Sequence, residues 1–315
     1  MSNLAGLASI TLPIFLVMAL GYATTRWRFV TADFIQGLGF FVLNIALPAL
    51  VLHALISQDL RSTFSGAYLL AYGGGSLVTF ALVFIVFRFL MRRDVTQSAI
   101  ACLGGASSNS GFVGFPLASL AIGPAALTAL PLAMLIENFL IIPGALALAE
   151  SGRHNGKPFF STARETLLRL IKMPLVLAII LGAILSLAGL HPPQPVATAV
   201  QMVANASAAC ALFVVGGTLA GIEEFSASAD VGLIVTAKLI LHPLAVVAGF
   251  MLAGEVAPPL MAAGIILAAS PMLTVYPILA ARFGLGQLGA VALVAATALS
   301  FITLTAVIGL LPAIQ

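Results

Sequence analysis

Residues 106–116, ASSNSGFVGFP, and residues 267–277, LAASPMLTVYP, interrupt otherwise apolar stretches with Asn, Ser, Thr, Gly and Pro. The two stretches stand 161 residues apart. The same offset pairs Pro13 with Pro174, Gly21 with Gly182, Asn44 with Asn205 and Pro116 with Pro277. Four matched landmarks at one spacing point to an internal duplication. In a membrane protein, an interrupted apolar segment at the same place in each half is a pointer to a solute-binding site. The expectation is a chain that moves a small solute across a membrane.

Composition sets the class. Of 315 residues, 61% are hydrophobic and 7% are charged, against roughly 25% charged in a soluble domain. So few charges cannot cover the surface of a soluble protein this long, and the expectation is an all-α polytopic membrane protein. The net charge of +3 is spread between apolar spans, so it forms no face for nucleic acid. The first apolar stretch has no basic residue before it and matches a later span, which reads as a span and not a cleavable signal. Cys102 and Cys210 lie in apolar segments without CxxC or His-rich surroundings and read as small hydrophobes.

A helix crosses the hydrocarbon core in about 20 apolar residues. That ruler places ten spans at about 8–25, 33–55, 66–90, 97–122, 125–149, 172–189, 197–220, 231–253, 257–281 and 286–311. The polar stretch 150–171 separates a first five-span repeat (1–149) from a second (172–315), as a linker would. Cytoplasmic loops retain Lys and Arg. With the N-terminus outside, Arg26, Arg28, Arg88, Arg92, Arg93, Arg153, Lys157, Arg164, Arg169, Lys172 and Arg282 all fall inside, and Arg61 alone falls outside. The acidic loop with Glu223, Glu224 and Asp230 would also be inside, although acids count little in this rule. Both termini are therefore expected outside a cell membrane, bacterial inner or plasma, with 150–171 cytoplasmic. Five spans is an odd number, so the second half must be inverted. The expected fold is ten transmembrane helices as a 5+5 inverted repeat with broken crossover helices 4 and 9.

Gly111 and Gly114 weaken the fourth span, and Pro116 removes a donor and displaces a carbonyl one turn earlier. Pro271 and Pro277 act alike in the ninth. Backbone groups so freed must face protein or a water-filled cavity, because each unmet group costs several kcal/mol in lipid. Two such breaks from inverted halves meet near the midplane. There the N-terminal ends of half-helices offer N–H groups and partial positive charge to an anion. Asn109, Ser110, Ser270 and Thr274 are the side chains that can complete the site with neutral hydrogen bonds. The alternative, prolines that only kink packed helices, is weakened by the matching break in each half. Asn44 and Asn205, a matched pair in spans two and seven, fit substrate contact and helix packing equally.

Ionisable groups deep in a span are functional candidates because their transfer is costly. Glu137, beside Asn138 at the centre of span five, can carry a proton, help ligate sodium, or partner an internal cation. Lys238, in span eight, can hold an anion, pair with Glu137, or snorkel to the cytoplasmic face. His242, one turn on, reads as a satisfied packing residue, and His53 lies near a span end. No Walker A, HExxH, CxxC or GxSxG string is present, so neither enzymatic chemistry nor nucleotide-driven pumping is expected. No cofactor is expected beyond a coupling ion, Na+ or H+.

Four strings carry a resemblance: NSGFVGFP from Asn109, LNIALPAL from Leu43, KLILHPL from Lys238 and SPMLTVYPILAARFG from Ser270. They resemble the auxin efflux carrier family, which includes plant PIN carriers and bacterial permeases named for malonate or related organic acids. The likeness spans essentially the whole chain. It implies an inverted-repeat fold related to the sodium/bile-acid symporters, with spans one, two, six and seven as a scaffold and the other six as a mobile transport domain. It implies carboxylate binding where the broken helices cross, and the family's crossover Asn matches Asn109. Ser270 stands where plant carriers tend to have Asn, and the short linker lacks their long regulatory loop. Both departures argue against auxin as the substrate.

The reading is a secondary active transporter, or permease, of a small organic anion, a mono- or dicarboxylate, working by symport or antiport. Its partners are that anion and membrane lipid, and a homodimer is compatible with the fold. The alternatives are a sodium/proton antiporter without organic substrate and a non-transporting membrane sensor or structural subunit.

Overall fold

The computed structural model describes residues 4–57, 65–153, 172–190, 192–222 and 228–314, together with 164 and 168. Arg61, Glu223, Glu224 and most of the 150–171 linker lie outside the described residues. The described residues form helices and no strand: α1 (Leu4–Arg26), α2 (Ala32–Ile56), α3 (Gly66–Leu90), α4 (Val95–Ala106), α5 (Phe115–Ala121), α6 (Ala125–Ser151), α7 (Pro174–Ala188), α8 (Gln194–Ala220), α9 (Ala229–Leu252), α10 (Pro258–Ala269), α11 (Tyr276–Ala281) and α12 (Gly286–Ile314). Six of these, α2, α3, α6, α8, α9 and α12, are long and apolar enough to cross a membrane. Parts of α1, and α7 and α10, are shorter apolar helices.

Local chemistry marks the starts. Thr31, Ser65, Asp94 and Ser228 cap α2, α3, α4 and α9, each accepting from a backbone N–H three residues on. Such caps satisfy donors that the first helical turn leaves open. Gly189, at φ +66°, ends α7 in the left-handed region.

The helices contain π-turns, and their placement follows from proline. Val42–Ala46, Ser110–Gly114, Glu137–Ile141 and Ala237–Leu241 are π-helical, and each is followed two residues later by Pro48, Pro116, Pro143 or Pro243. A proline donates no hydrogen bond and its ring pushes away the carbonyl four residues before it. The helix absorbs both effects by widening over one turn. A fifth π-turn, Val86–Leu90, closes α3 without a proline.

Glycines set the closest approaches. Gly21 of α1 lies against the Phe213 carbonyl of α8, and Gly216 of α8 lies against the Met18 carbonyl of α1. A β-carbon on Gly182 of α7 would come 2.8 Å from Leu55 of α2. In α3 and α9, Gly75 faces the Val246 backbone and Gly249 faces the Ala71 carbonyl. Small residues permit such contacts between membrane helices, where van der Waals packing replaces the hydrophobic drive. Exposed leucines at Leu12, Leu16 and Leu20 of α1 and at Leu177 and Leu181 of α7 form outward apolar stripes.

One end of the molecule gathers basic residues. Arg93, after α3, pairs with Asp230 of α9 at 2.9 Å. Arg153, after α6, donates to the Arg282 carbonyl, stacks 4.7 Å above the Phe283 ring and approaches Glu150 at 3.6 Å. The ends of α3, α6 and α11 and the start of α9 therefore share one face.

Candidate functional site

The two polar stretches come together. α4 stops at Ala106, residues 107–109 are non-helical, and the chain resumes as a π-turn at Ser110 that runs into α5. α10 stops at Ala269, and the chain is non-helical or turn until Tyr276. At the join, the Asn109 backbone N–H donates to the Pro271 carbonyl at 2.7 Å. The Asn109 side-chain amide donates to Thr274 Oγ1, also at 2.7 Å. The Asn109 carbonyl accepts from Val113 and Gly114, which leaves the N–H groups of Ser110, Gly111 and Phe112 ahead of the first bond of the turn.

Packing fixes this joint tightly. A β-carbon on Gly114 would come within 3.2 Å of Ser270 Oγ and 2.9 Å of Leu267. One on Gly111 would meet Met134 at 2.8 Å. Pro116 is buried in the first turn of α5, and Pro277 sits in the first turn of α11, beside Gly289. Ser270 is buried and turns its hydroxyl back to the Leu267 carbonyl at 2.7 Å. Asn109 itself is only 4% exposed.

A second polar layer lies directly behind the joint. Glu137, on the π-turn of α6, is 2% exposed. Its Oε1 accepts from the Ser110 hydroxyl at 2.6 Å and the Tyr72 hydroxyl at 2.9 Å. The Ser108 backbone N–H faces the same carboxylate. Lys238, on the π-turn of α9, is fully buried. Its Nζ donates to Ser108 Oγ at 2.6 Å and to the Ala268 carbonyl at 2.8 Å, and contacts His242 Nδ1 at 2.7 Å. His242 Nε2 lies 2.9 Å from Ser76 Oγ, and Ser76 donates its single proton to the Tyr72 carbonyl at 2.8 Å.

That last bond assigns the imidazole. Because Ser76 spends its proton on Tyr72, it accepts from His242, so Nε2 carries the hydrogen. Nδ1 is then an acceptor, and Lys238 has three acceptors for three ammonium protons. A lysine at the centre of a membrane helix costs about 2.5–3.5 kcal/mol, and this full set of hydrogen bonds offsets it. The Ser108 and Ser110 hydroxyls also face the Tyr72 hydroxyl. The circuit Tyr72–Ser76–His242–Lys238–Ser108 thus closes on Tyr72, with Glu137 bonded to it.

Glu137 and Lys238 form no direct ion pair. Among the described residues the pairs within 4.0 Å are Arg93–Asp230 and Glu150–Arg153. Ser108 stands between the carboxylate and the ammonium. Lys238 does not snorkel. The other sequence candidates lie apart from this layer's bonds. Asn44 donates to the Phe40 carbonyl of its own helix at 2.9 Å, and Asn138 to the Met134 carbonyl of its own helix at 2.9 Å. Asn205 is exposed on α8. Asn44, Glu137, Asn138 and Lys238 nevertheless all sit on proline-driven π-turns, which recur at functional sites.

Sequence reasoning passed over Tyr72, Ser76 and Ser108 and read His242 as packing. Tyr68, Tyr72 and Ser76 recur every four residues on one face of α3, and that spacing was the available signal.

These observations describe a helical, apolar protein whose interior holds a polar joint between two helix ends, and comparison with known proteins gives its family. The profile of the family described as membrane transport protein matches residues 9–308. The chain belongs to this family, the auxin efflux carrier family. It is 30% identical over 311 residues to a Rhizobium meliloti (strain 1021) protein named "Putative malonate transporter", covering 98% of this chain and 96% of that one. It is also 30% identical over 244 residues to the "Uncharacterized transporter YfdV" of Escherichia coli (strain K12), covering 74% and 75% of the two chains. A Shigella flexneri protein of the same name matches to the same extent. The chain is a multi-pass membrane transporter and not an enzyme.

Proposed function

We propose that this transporter is a secondary active permease for a small organic anion, a short mono- or dicarboxylate, that binds at the joint between residues 107–110 and 270–274. The observation that carries this reading is the pair of bonds from Asn109 to Pro271 and Thr274. They hold two helix breaks in contact and leave one amide proton of Asn109, with the N–H groups of Ser110 and Gly111, available to an anion. Donors of this kind are neutral, which suits a carrier that must also release its solute. Thr274, whose Oγ1 accepts from Asn109 and keeps its own proton, completes the donor set. Ser270 joins it only by releasing the Leu267 carbonyl, and Gly111, Pro116 and Pro277 shape the backbone. The malonate named for the Rhizobium meliloti relative, matched over almost its whole length, supports a short dicarboxylate.

The wider reading is ten spans in a 5+5 inverted repeat, 1–149 and 172–315, joined by a cytoplasmic linker, with both termini outside. Helix pairing supports it. Gly21 meets Phe213, while Gly182, its partner at the 161-residue offset, meets Leu55 in the other half. α1, α2, α7 and α8 then form a scaffold. The circuit around Lys238 ties together α3, α4, α6, α9 and α10 as one moving body. Asn109 is buried, so solute reaches it only when these bodies shift, which is alternating access. Glu137 and Lys238 are the ion-coupling groups, with Asn138 beside them. Asn44 and Asn205, on α2 and α8, would line the scaffold side.

Counterflow in proteoliposomes tests the reading. Exchange of labelled malonate or a related acid supports it. Flux of ions alone would establish a sodium/proton antiporter, and neither flux would indicate a sensor or structural subunit.

A further inference from the structure

We propose that the ion coupled to solute movement is a proton taken up by Glu137, and that the tethered ammonium of Lys238 excludes inorganic cations from the same space. This deepens the carboxylate-transport reading and rests on it. A hard cation is held by a shell of oxygen atoms with lone pairs to spare. Here the oxygens that converge behind the joint, Ser108 Oγ and the Ala268 carbonyl, already bond the Lys238 ammonium at 2.6 and 2.8 Å. Glu137 Oε1 is aimed at by two hydroxyl protons. No cluster of three acidic, His or Cys side chains exists among the described residues. The place of a coupling cation is filled by a covalently attached one.

Glu137 is the group left to respond to an anion. Ser110, whose hydroxyl touches its carboxylate at 2.6 Å, is peptide-bonded to Asn109. A carboxylate docked at Asn109 therefore stands one residue from a second, buried negative charge, in an interior that screens charge poorly. Adding a proton to Glu137 removes that repulsion. Oε1 holds the two hydroxyl bonds, so the proton goes to Oε2. The step is the carboxylate plus a hydronium ion from the buffered solvent giving a neutral carboxylic acid and water, reversed when the anion leaves. Lys238 keeps its charge throughout, held by Ser108, Ala268 and His242. The titratable groups around Glu137 are Tyr68 and Tyr72 from α3 and Lys238 and His242 from α9. With Lys238 charged, the empty circuit is neutral and the proton-loaded circuit carries one positive charge, which balances one carboxylate. Proton and anion favour each other's binding by the same factor.

The test is calorimetry of malonate binding to the purified full chain, in two buffers of different ionisation heat, with and without sodium. The expected result is a buffer-dependent heat equal to about one proton taken up per malonate, unchanged by sodium. Affinity should fall as pH rises, approaching at most about tenfold per pH unit. Glu137→Gln should bind malonate with no buffer-dependent heat, which separates a proton on the protein from one on malonate. Glu137→Asp should restore proton uptake. Wild-type binding without proton uptake, binding that requires sodium, or undiminished uptake in Glu137→Gln would overturn the proposal. The wild-type arms can overturn it without any variant, and Glu137→Gln places the proton. Absence of binding by malonate, succinate, lactate and citrate alike would overturn the carboxylate reading itself, and this proposal with it.

Discussion

Asn109 and Thr274, 165 residues apart in sequence, are joined by a 2.7 Å hydrogen bond from the Asn109 amide to the Thr274 hydroxyl. With the Asn109 N–H on the Pro271 carbonyl, this bond makes one joint of two chain breaks. Ser107, Ser108, Asn109, Ser110 and Ser270 are buried, and neither break could satisfy its freed backbone groups alone away from water. Each supplies what the other lacks.

The first prediction follows from the second amide proton of Asn109. Asn109→Ala should remove a hydrogen bond to a charged solute, worth about 1.5–3 kcal/mol, and weaken binding roughly tenfold or more. Asn109→Asp should be worse, because it sets like charge against the anion. Calorimetry on folded variants measures both. Unchanged affinity in the two would reduce Asn109 to a residue that only ties the breaks together.

Glu137 is predicted to link solute movement to an ion gradient. Glu137→Gln keeps an acceptor for Ser110 and Tyr72 but cannot exchange a proton. It should abolish uphill accumulation in proteoliposomes while exchange of labelled solute remains measurable. Accumulation at the wild-type level under the same gradient would return Glu137 to a structural role.

His242 is predicted to hold Lys238 in place. His242→Leu deletes the Nδ1 acceptor and leaves the buried ammonium one bond short, a loss of about 1–3 kcal/mol. An Asn side chain presents its oxygen close to the position of Nδ1, so His242→Asn should recover part of the loss. Thermal unfolding in detergent reads the order wild type, Asn, Leu. Equal melting of the two variants would show that His242 contributes packing alone.

The helical, membrane-spanning character of the chain was legible in its 61% hydrophobic, 7% charged composition, and the family in NSGFVGFP and its companion strings. The inner circuit was not. Tyr72, Ser76 and His242 look like ordinary interior residues until the helices are packed, because their roles depend on bonds such as Ser76–His242, 166 residues apart. Glu137 and Lys238 announce themselves by their cost in a membrane. That cost does not reveal Ser108 between them. The π-turns, by contrast, were readable in principle, since each polar candidate of spans two, five and eight stands four to six residues before a proline. Asn205 has no such proline after it and sits on an uninterrupted helix.

Orientation is a separate prediction, resting on eleven basic residues against one. Single cysteines at Ser2 and Ser161, both outside the described residues, would be introduced in a background lacking Cys102 and Cys210. An impermeant maleimide applied to intact cells should label position 2 and spare position 161. The reverse pattern would invert the topology. The shared face of Arg93, Arg153 and Arg282 requires that their segments all move together to one side in either case.

The last prediction concerns the seam between α3 and α9, which positions Ser76 against His242. A β-carbon on Gly75 would come 2.6 Å from Val246 Cα and 2.7 Å from the Ala245 carbonyl. These are backbone atoms that no side-chain rotation can move. Gly75→Ala should therefore push the helices apart, at about 1–3 kcal/mol for overpacking, and stretch the adjacent Ser76–His242 bond. Gly74 is the internal control, because a β-carbon there meets nothing within 4 Å. Gly74→Ala should leave stability unchanged or raise it by up to about 1 kcal/mol through helix propensity. Melting temperatures of the two variants, measured side by side in detergent, give the answer. If Gly75→Ala melted as high as Gly74→Ala, the close approach of α3 and α9 would not be what holds the circuit together.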